Sequence, residues 1–140
     1  AYARANWERE RGLDELRTAE ADVEIIDVPC GHAFEDGYDS WPALKATGAT
    51  AVIAYNDVVA LGLLGRLSEE GVSVPGEISV AGFDDIPLAG SVSPSLTTVQ
   101  QDTKLAGSLL VDSLIALIRG EGAESRAIPT QLVLRDSSRR

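Results

Sequence analysis

The sequence predicts an α/β fold with a parallel sheet. Short runs of about five apolar residues recur at VEIIDV (23–28), TAVIAY (50–55) and ISVAGF (78–83). Amphipathic stretches of ten or more residues separate such runs, the pattern of strands joined by crossover helices. Candidate polar groups follow each run: Gly31 and His32 shortly after the first, Asn56 and Asp57 directly after the second, Asp84 and Asp85 directly after the third.

In order, residues 3 to 20 set Trp7, Leu13 and Leu16 among Arg and Glu and predict an amphipathic helix. Val23 to Val28 predicts a strand closed by Pro29, followed by a loop from Cys30 through His32 to Phe34. A second helix is expected after Gly37. Pro42 is admissible only in its first turn, because an interior proline loses a hydrogen bond and clashes with the preceding turn. Ser40 as N-cap therefore starts a short helix that runs to about Thr47 and stops at Gly48.

Thr50 to Tyr55 is apolar on both faces and reads as a buried strand. Asn56-Asp57 then offers an N-cap for a helix from Val58 to about Glu70, stopped by Gly71. Val58, Val59, Leu61, Leu63, Leu64 and Leu67 surround most of that helix, so a second face is expected to meet another subunit or domain. Gly62 and Gly65 inside it each cost about 1 kcal/mol against alanine, a cost tolerated where another element approaches closely. Val74-Pro75 breaks the chain before the strand at Ile78 to Phe83, and Ile86 to Pro94 reads as a loop with one helical turn. Thr97 to Gln101 is β-branched and extended, and Asp102 caps a long helix from Leu105 to Arg119, stopped by Gly120. Ile128 to Arg135 alternates as a final strand before a charged tail.

With 140 residues, 44% hydrophobic and 24% charged, the chain supports one globular core and excludes a disordered or fibrous reading. No apolar run approaches the roughly 20 residues of a membrane span, and the charges from Arg4 onward do not read as a secretory signal. Twelve Lys+Arg stand against 22 Asp+Glu, a net charge of −10, so this stretch is not expected to bind DNA or anionic membrane by itself. Cys30 alone cannot form an internal disulfide, which is compatible with a cytoplasmic location, and one Cys with one His falls short of a closed zinc site.

Ligands of a doubly wound sheet bind beyond the carboxyl ends of its strands. An amide, carboxylates and an imidazole converging there would suit a small polyhydroxylated ligand, because each hydroxyl both donates and accepts. Asn56 and Asp84 follow their strands immediately and are the better candidates; Asp57 reads as a helix cap. Asp84 and Asp85, being adjacent, point apart, unlike the facing carboxylates of a hydrolase, and one of them is expected to serve a turn or cap. His32 by itself reads as a loop residue and both tryptophans as core. There is no nucleophile elbow and no glycine-rich phosphate loop, so neither an enzyme nor a cofactor is called for.

Residues 50 to 102 resemble the C-terminal half of bacterial transcription regulators of the lactose repressor/galactose repressor family. The offsets that carry this are Asn56-Asp57 with Ala60 and Gly62, Gly71 before Val74-Pro75, Ile78-Ser79-Val80 before Gly82-Phe83-Asp84-Asp85, and Pro94 before Leu96-Thr97-Thr98. The likeness extends back through Arg9, Gly12 and Leu16 and forward to Leu132-Val133 and Arg135-Asp136-Ser137-Ser138.

The resemblance implies a parallel Rossmann-like sheet, the C-terminal subdomain of a periplasmic-binding-protein-like (type I) fold that closes on a sugar, nucleoside or similar metabolite. It divides the chain into residues 1–101 of that subdomain without its opening strand, a segment 102–127 that would pack on an N-terminal subdomain, and a final strand and tail, 128–140. It assigns effector contacts to Arg9, Asn56, Asp84 and Gln101, and a stacking position to His32, with Phe34 as the alternative. It also implies a homodimer joined partly through the helix at 58–70, which reaches operator DNA only through an N-terminal helix-turn-helix not found in this chain; the apolar stripe of residues 102–119 is expected to complete the pairing by docking on or swapping with a partner. The competing readings are an extracytoplasmic sugar-binding protein of a transporter, which shares the fold, and a dinucleotide-dependent enzyme, against which the missing glycine fingerprint argues.

Overall fold

The computed structural model describes residues 2–19, 22–122 and 125–139. Among the described residues there are five helices: α1 (Tyr2–Ala19), α2 (Phe34–Asp39), α3 (Trp41–Thr47), α4 (Asp57–Glu69) and α5 (Thr103–Ile118). The strands are β1 (Ala51–Ile53), β2 (Ser79–Ala81), β3 (Thr98–Gln101) and β4 (Thr130–Val133), with a 3₁₀ turn at Pro87–Gly90. Trp7 lies on α1, its side chain outside the described residues.

β1 and β2 pair in parallel, Val52 opposite Val80, as the alternation of runs and helices predicts. β2 is flanked on its other side by the segment entering β3, through parallel bridges from Ala81 to Thr97 and from Asp84 to Gln100. β3 then pairs with β4 in an antiparallel ribbon, Val99 opposite Leu132, from which α5 departs and to which it returns.

The core forms where α4 lies over β2. Val59, Ala60, Leu61, Leu63, Leu64 and Leu67 of α4 are buried with Ile78, Val80, Ala89 and Leu96. α2 crosses the outer side of α4 backbone to backbone. A Cβ on Gly62 would collide with the Phe34 carbonyl, and one on Gly37 with the Val59 carbonyl. Gly62 therefore meets the close approach predicted for it, whereas a Cβ at Gly65 would make only an ordinary contact, 3.7 Å from the Phe34 ring. Trp41 of α3 is buried, as expected, and its indole donates to Glu70 at 3.3 Å.

Several expectations are corrected. The run 23–28 forms no strand: no ladder partner stands beside it among the described residues, and Val23 and Ile26 are exposed. A short β-rich run without a neighbour has nothing to share its hydrogen bonds with. β1 is shorter than 50–55 and is not buried on both faces; Ile53 is 67% exposed, because one face of this strand is left uncovered. The residues around Phe34, expected as loop, form α2. Ser40 stands at the start of α3 but does not cap it, being itself helical and bonding back to the Gly37 carbonyl at 2.7 Å. Pro42 does fall in the first turn of α3, and Gly48 ends it with φ +71°.

Most of the apolar wrap of α4 is covered by this chain itself, by α2 and α3 on one side and the sheet on the other, while Val58 stays 38% exposed. α5 lacks a cover among the described residues: none of its residues is buried, and Leu110, Val111, Leu114, Leu117 and Ile118 are each more than half exposed. The C-terminal segment, expected as a charged tail, is built into the fold. Ser137 is fully buried, its backbone accepting from Val80 N–H at 2.9 Å and its hydroxyl donating to Val80 O at 2.6 Å.

Candidate functional site

The carboxyl ends of β1 and β2 lie side by side, and the chain releases Tyr55-Asn56 from one and Phe83-Asp84 from the other. Arg9 of α1 reaches both. Its Nη1 donates to the Tyr55 carbonyl at 2.6 Å, and its guanidinium lies 3.6 Å from the Phe83 ring centroid and 5.1 Å from that of Tyr55. A cation over two aromatic faces is attracted by their quadrupoles, which fixes a long, otherwise mobile side chain.

His32 stacks on Tyr55 with ring centroids 4.3 Å apart and an interplanar angle of 39°. Its carbonyl accepts from Asn56 Nδ2 at 3.3 Å. The other end of Asn56 is committed to the fold, since Oδ1 accepts from Val59 N–H at 2.8 Å. Asn56, not Asp57, is thus the N-cap of α4. Phe34 is placed elsewhere: its ring lies against Gly65, nine residues along α4 from Asn56, on the order of 13 Å away.

Asp84 faces this rim. Its Oδ1 accepts from Gln101 Nε2 at 3.0 Å. Partial burial pushes its carboxyl above the usual range, with the Asp57 charge acting in the same direction, while Arg9 and the Gln101 hydrogen bond oppose the rise. The five residues predicted from the sequence therefore stand on one sheet edge: Arg9, His32 and Asn56 joined around Tyr55, and Asp84 with Gln101 beside Phe83. A hollow of about 380 Å³ brings together Asp84, Asp85, Gln100 and Gln101, and a neighbouring one of about 680 Å³ continues past Gln101 to Lys104 and Gln131. Arg9, His32 and Asn56 do not line either.

Asp84 and Asp85 have φ of +116° and +53°, conformations that cost non-glycine residues on the order of 1–3 kcal/mol and persist where the surroundings over-determine them. As expected for adjacent residues, their side chains diverge: Asp85 turns to Arg135 Nη2 at 2.6 Å and Gln100 Nε2 at 2.8 Å. Asp57 sits beneath the turn, fully buried, accepting from Ile86 N–H at 2.9 Å and from the Thr98 hydroxyl at 2.5 Å. Sequence reasoning missed Arg135 and Thr98, which no local pattern connects to Asp84. It also passed over Tyr55 and Phe83, although each stands directly before a candidate residue. Among the described residues no group of three or more His, Cys, Asp or Glu could hold a metal ion.

This rim offers a carboxylate, a guanidinium, carboxamides and a tilted ring pair, groups that can hydrogen-bond hydroxyls and meet a flat ligand face. The sequence matches the periplasmic binding protein-like domain over residues 3–138, and the chain belongs to that family. Its relatives are transcriptional repressors of the lactose-repressor type. The HTH-type transcriptional repressor PurR of Vibrio atlanticus (strain LGP32) is 44% identical over 77 residues, 55% of this chain and 23% of that protein. A lactose operon repressor of Rhizobium radiobacter is 33% identical over 109 residues, 76% of this chain and 96% of that sequence.

Among solved structures, the transcription regulator CcpA of Lactococcus lactis superposes with a TM-score of 0.88 at 27% identity, covering 96% of this chain and 51% of that one. A LacI family regulator from Enterococcus faecium with bound ribose gives 0.74 at 30% identity, covering 79% and 42%. The chain thus spans about a quarter of the PurR relative and about half of these solved chains.

Proposed function

We propose that this chain is the C-terminal part of the effector-sensing module of a bacterial transcriptional repressor, and that Arg9, His32, Asn56, Asp84 and Gln101 contact a sugar or nucleoside. The observation that carries this reading is the Asp84 carboxylate, presented at the end of β2 in a strained turn, bonded to Gln101 and within the field of Arg9. A ligand hydroxyl can donate to the carboxylate and accept from the amide, and charge-assisted bonds of this kind are the stronger contacts available. His32 on Tyr55 supplies a face for the apolar side of a ring. Ribose in the Enterococcus faecium regulator supports this ligand class.

The mechanism is a population shift. An effector bridging this rim and a second subdomain favours one arrangement of the two, and the change passes to DNA-binding heads carried elsewhere in the full-length protein. No bond is made or broken, so the module is not an enzyme and uses no cofactor. Its charge of −10 leaves operator contact to those heads. It works in the cytoplasm, where operator DNA lies, as a homodimer, and the exposed stripe of α5 supports apolar pairing.

Thermal-shift screening of the full-length protein against sugars and nucleosides tests the reading. A ligand at 100 times its Kd stabilises by about 2.7 kcal/mol. No response to any member of either class would overturn the proposed ligand class.

A further inference from the structure

The backbone amides of the turn at residues 84 to 86 are held from two parts of the chain, β3 and the first turn of α4. Asp84 N–H donates to Val99 O at 2.9 Å, Asp85 N–H to Thr98 Oγ1 at 3.3 Å, and Ile86 N–H to Asp57 Oδ2 at 2.9 Å. Those bonds restrain the amides but leave the Asp85 side chain to be accounted for. Its carboxylate is only 11% exposed, and the Arg135 side chain opposite it 21%. Water competes weakly for such a pair, so it orders the turn more firmly than a surface ion pair would.

Arg135 uses its planar fork on two segments at once, Nη2 on Asp85 at 2.6 Å and Nη1 on the Leu96 carbonyl at 2.8 Å. It is itself fixed, since its amide donates to Thr97 Oγ1 at 2.9 Å and its carbonyl accepts from the same hydroxyl at 3.1 Å. Gln100 holds the second Asp85 oxygen, next in sequence to Gln101, which holds Asp84. The residue with φ +53° is therefore clamped from β3 and from the segment after β4, and the residue before it is the one that faces the rim.

We propose that Arg135 is a positioning residue: by clamping Asp85 it fixes the turn in which Asp84 presents its carboxylate beside Gln101 and Arg9. The importance of that positioning rests on the reading of Asp84 as an effector contact, so the test uses readouts that need no effector.

The Asp84 carboxyl is titrated by carbon-13 NMR in the full chain and in Arg135→Gln, with amide hydrogen exchange measured on the same samples. The charged groups around Asp84 are Arg9, Asp57 and Asp85. Removing the Arg135 cation and freeing the Asp85 charge both push the Asp84 carboxyl further up, whereas release of the turn into solvent brings it down toward the ordinary carboxylate range. The expected result is movement down, with the Asp85 and Ile86 amides exchanging about tenfold faster relative to Leu63 and Leu64 in α4, a ratio equivalent to about 1.4 kcal/mol.

Arg135→Lys keeps the charge but not the fork, and is expected to lie between the two. If Arg135→Gln does not fold, this variant carries the same comparison. Failure of either movement overturns the positioning role. A positive result with no effector found in the screen counts against the effector reading alone.

Discussion

The carboxylate of Asp57, with no exposed surface, accepts the hydroxyl of Thr98 at 2.5 Å and so joins the first turn of α4 to the start of β3. Its other oxygen takes the Ile86 amide, and Gly82 leaves room for it, since a Cβ there would run into Asp57 Oδ1. A charge can be buried in this way only because hydrogen bonds replace the water it gives up.

Asp57→Ala strands a hydroxyl and an amide in the interior, and is expected to lower the free energy of unfolding by about 2–4 kcal/mol. Thr98→Val removes one donor to the carboxylate and is expected to cost about 1–3 kcal/mol. The double variant should cost less than the sum, because both act on one network. Urea denaturation of the three variants measures the coupling; strict additivity would show that the two residues act independently.

Two glycines inside helices should respond to alanine with opposite signs. Gly62→Ala drives a methyl into the Phe34 carbonyl, backbone that cannot swing aside, and should destabilise by about 1–3 kcal/mol. Gly107 in α5 has nothing within 4 Å of a built Cβ, so Gly107→Ala gains helix propensity and should stabilise by up to about 1 kcal/mol. Thermal melts of the pair decide it. Equal effects would mean that α2 and α4 do not cross where these contacts put them.

Burial raises the Asp84 carboxyl, so the folded chain holds that proton more tightly than the unfolded one. The stability it contributes is fully present below the unfolded value of about 3.9 and is lost as pH rises through the raised folded value. At neutral pH the ionised side chain therefore opposes folding. Asp84→Asn, which also tolerates a left-handed backbone, should melt above the wild type at about pH 7, the gap closing as pH falls below about 4. Melts across that range check the sign. A gap that widens in acid would reverse the assignment.

The apolar stripe of α5 is expected to draw the chain into a two-fold dimer, since each Å² of apolar surface removed from water contributes about 25 cal/mol. Sedimentation velocity should show a dimer that Leu114→Glu with Ile118→Glu returns to the 14.8 kDa monomer. A wild-type monomer at all concentrations would refute the pairing.

Much of the fold was legible in short windows of sequence. The Asp102 side chain caps α5 by accepting from Leu105 N–H at 2.9 Å, and Gly120 ends that helix with φ +76°, both as the residue pattern requires. Asn56 and Asp84 were legible as strand-end residues for the same reason. Asn56 and Asp57 are both capping residue types side by side, so the window does not separate them, and it is Asn56 that caps α4. Periodicity reports how much of a helix is apolar, not which element covers it: α2, expected as loop, covers much of the apolar wrap of α4, and Val58 stays 38% exposed.

What the sequence by itself determined, then, is what a few neighbouring residues decide among themselves: helix starts and stops, apolar runs, and the polar groups released after them. Tertiary structure decided the rest. VEIIDV stays out of the sheet because a strand exists only with a neighbour to share its hydrogen bonds, and among the described residues none stands beside it. Arg135 meets Asp85 across 50 residues, a contact whose attraction is realised only after the chain has closed the loop between them and excluded most of the water.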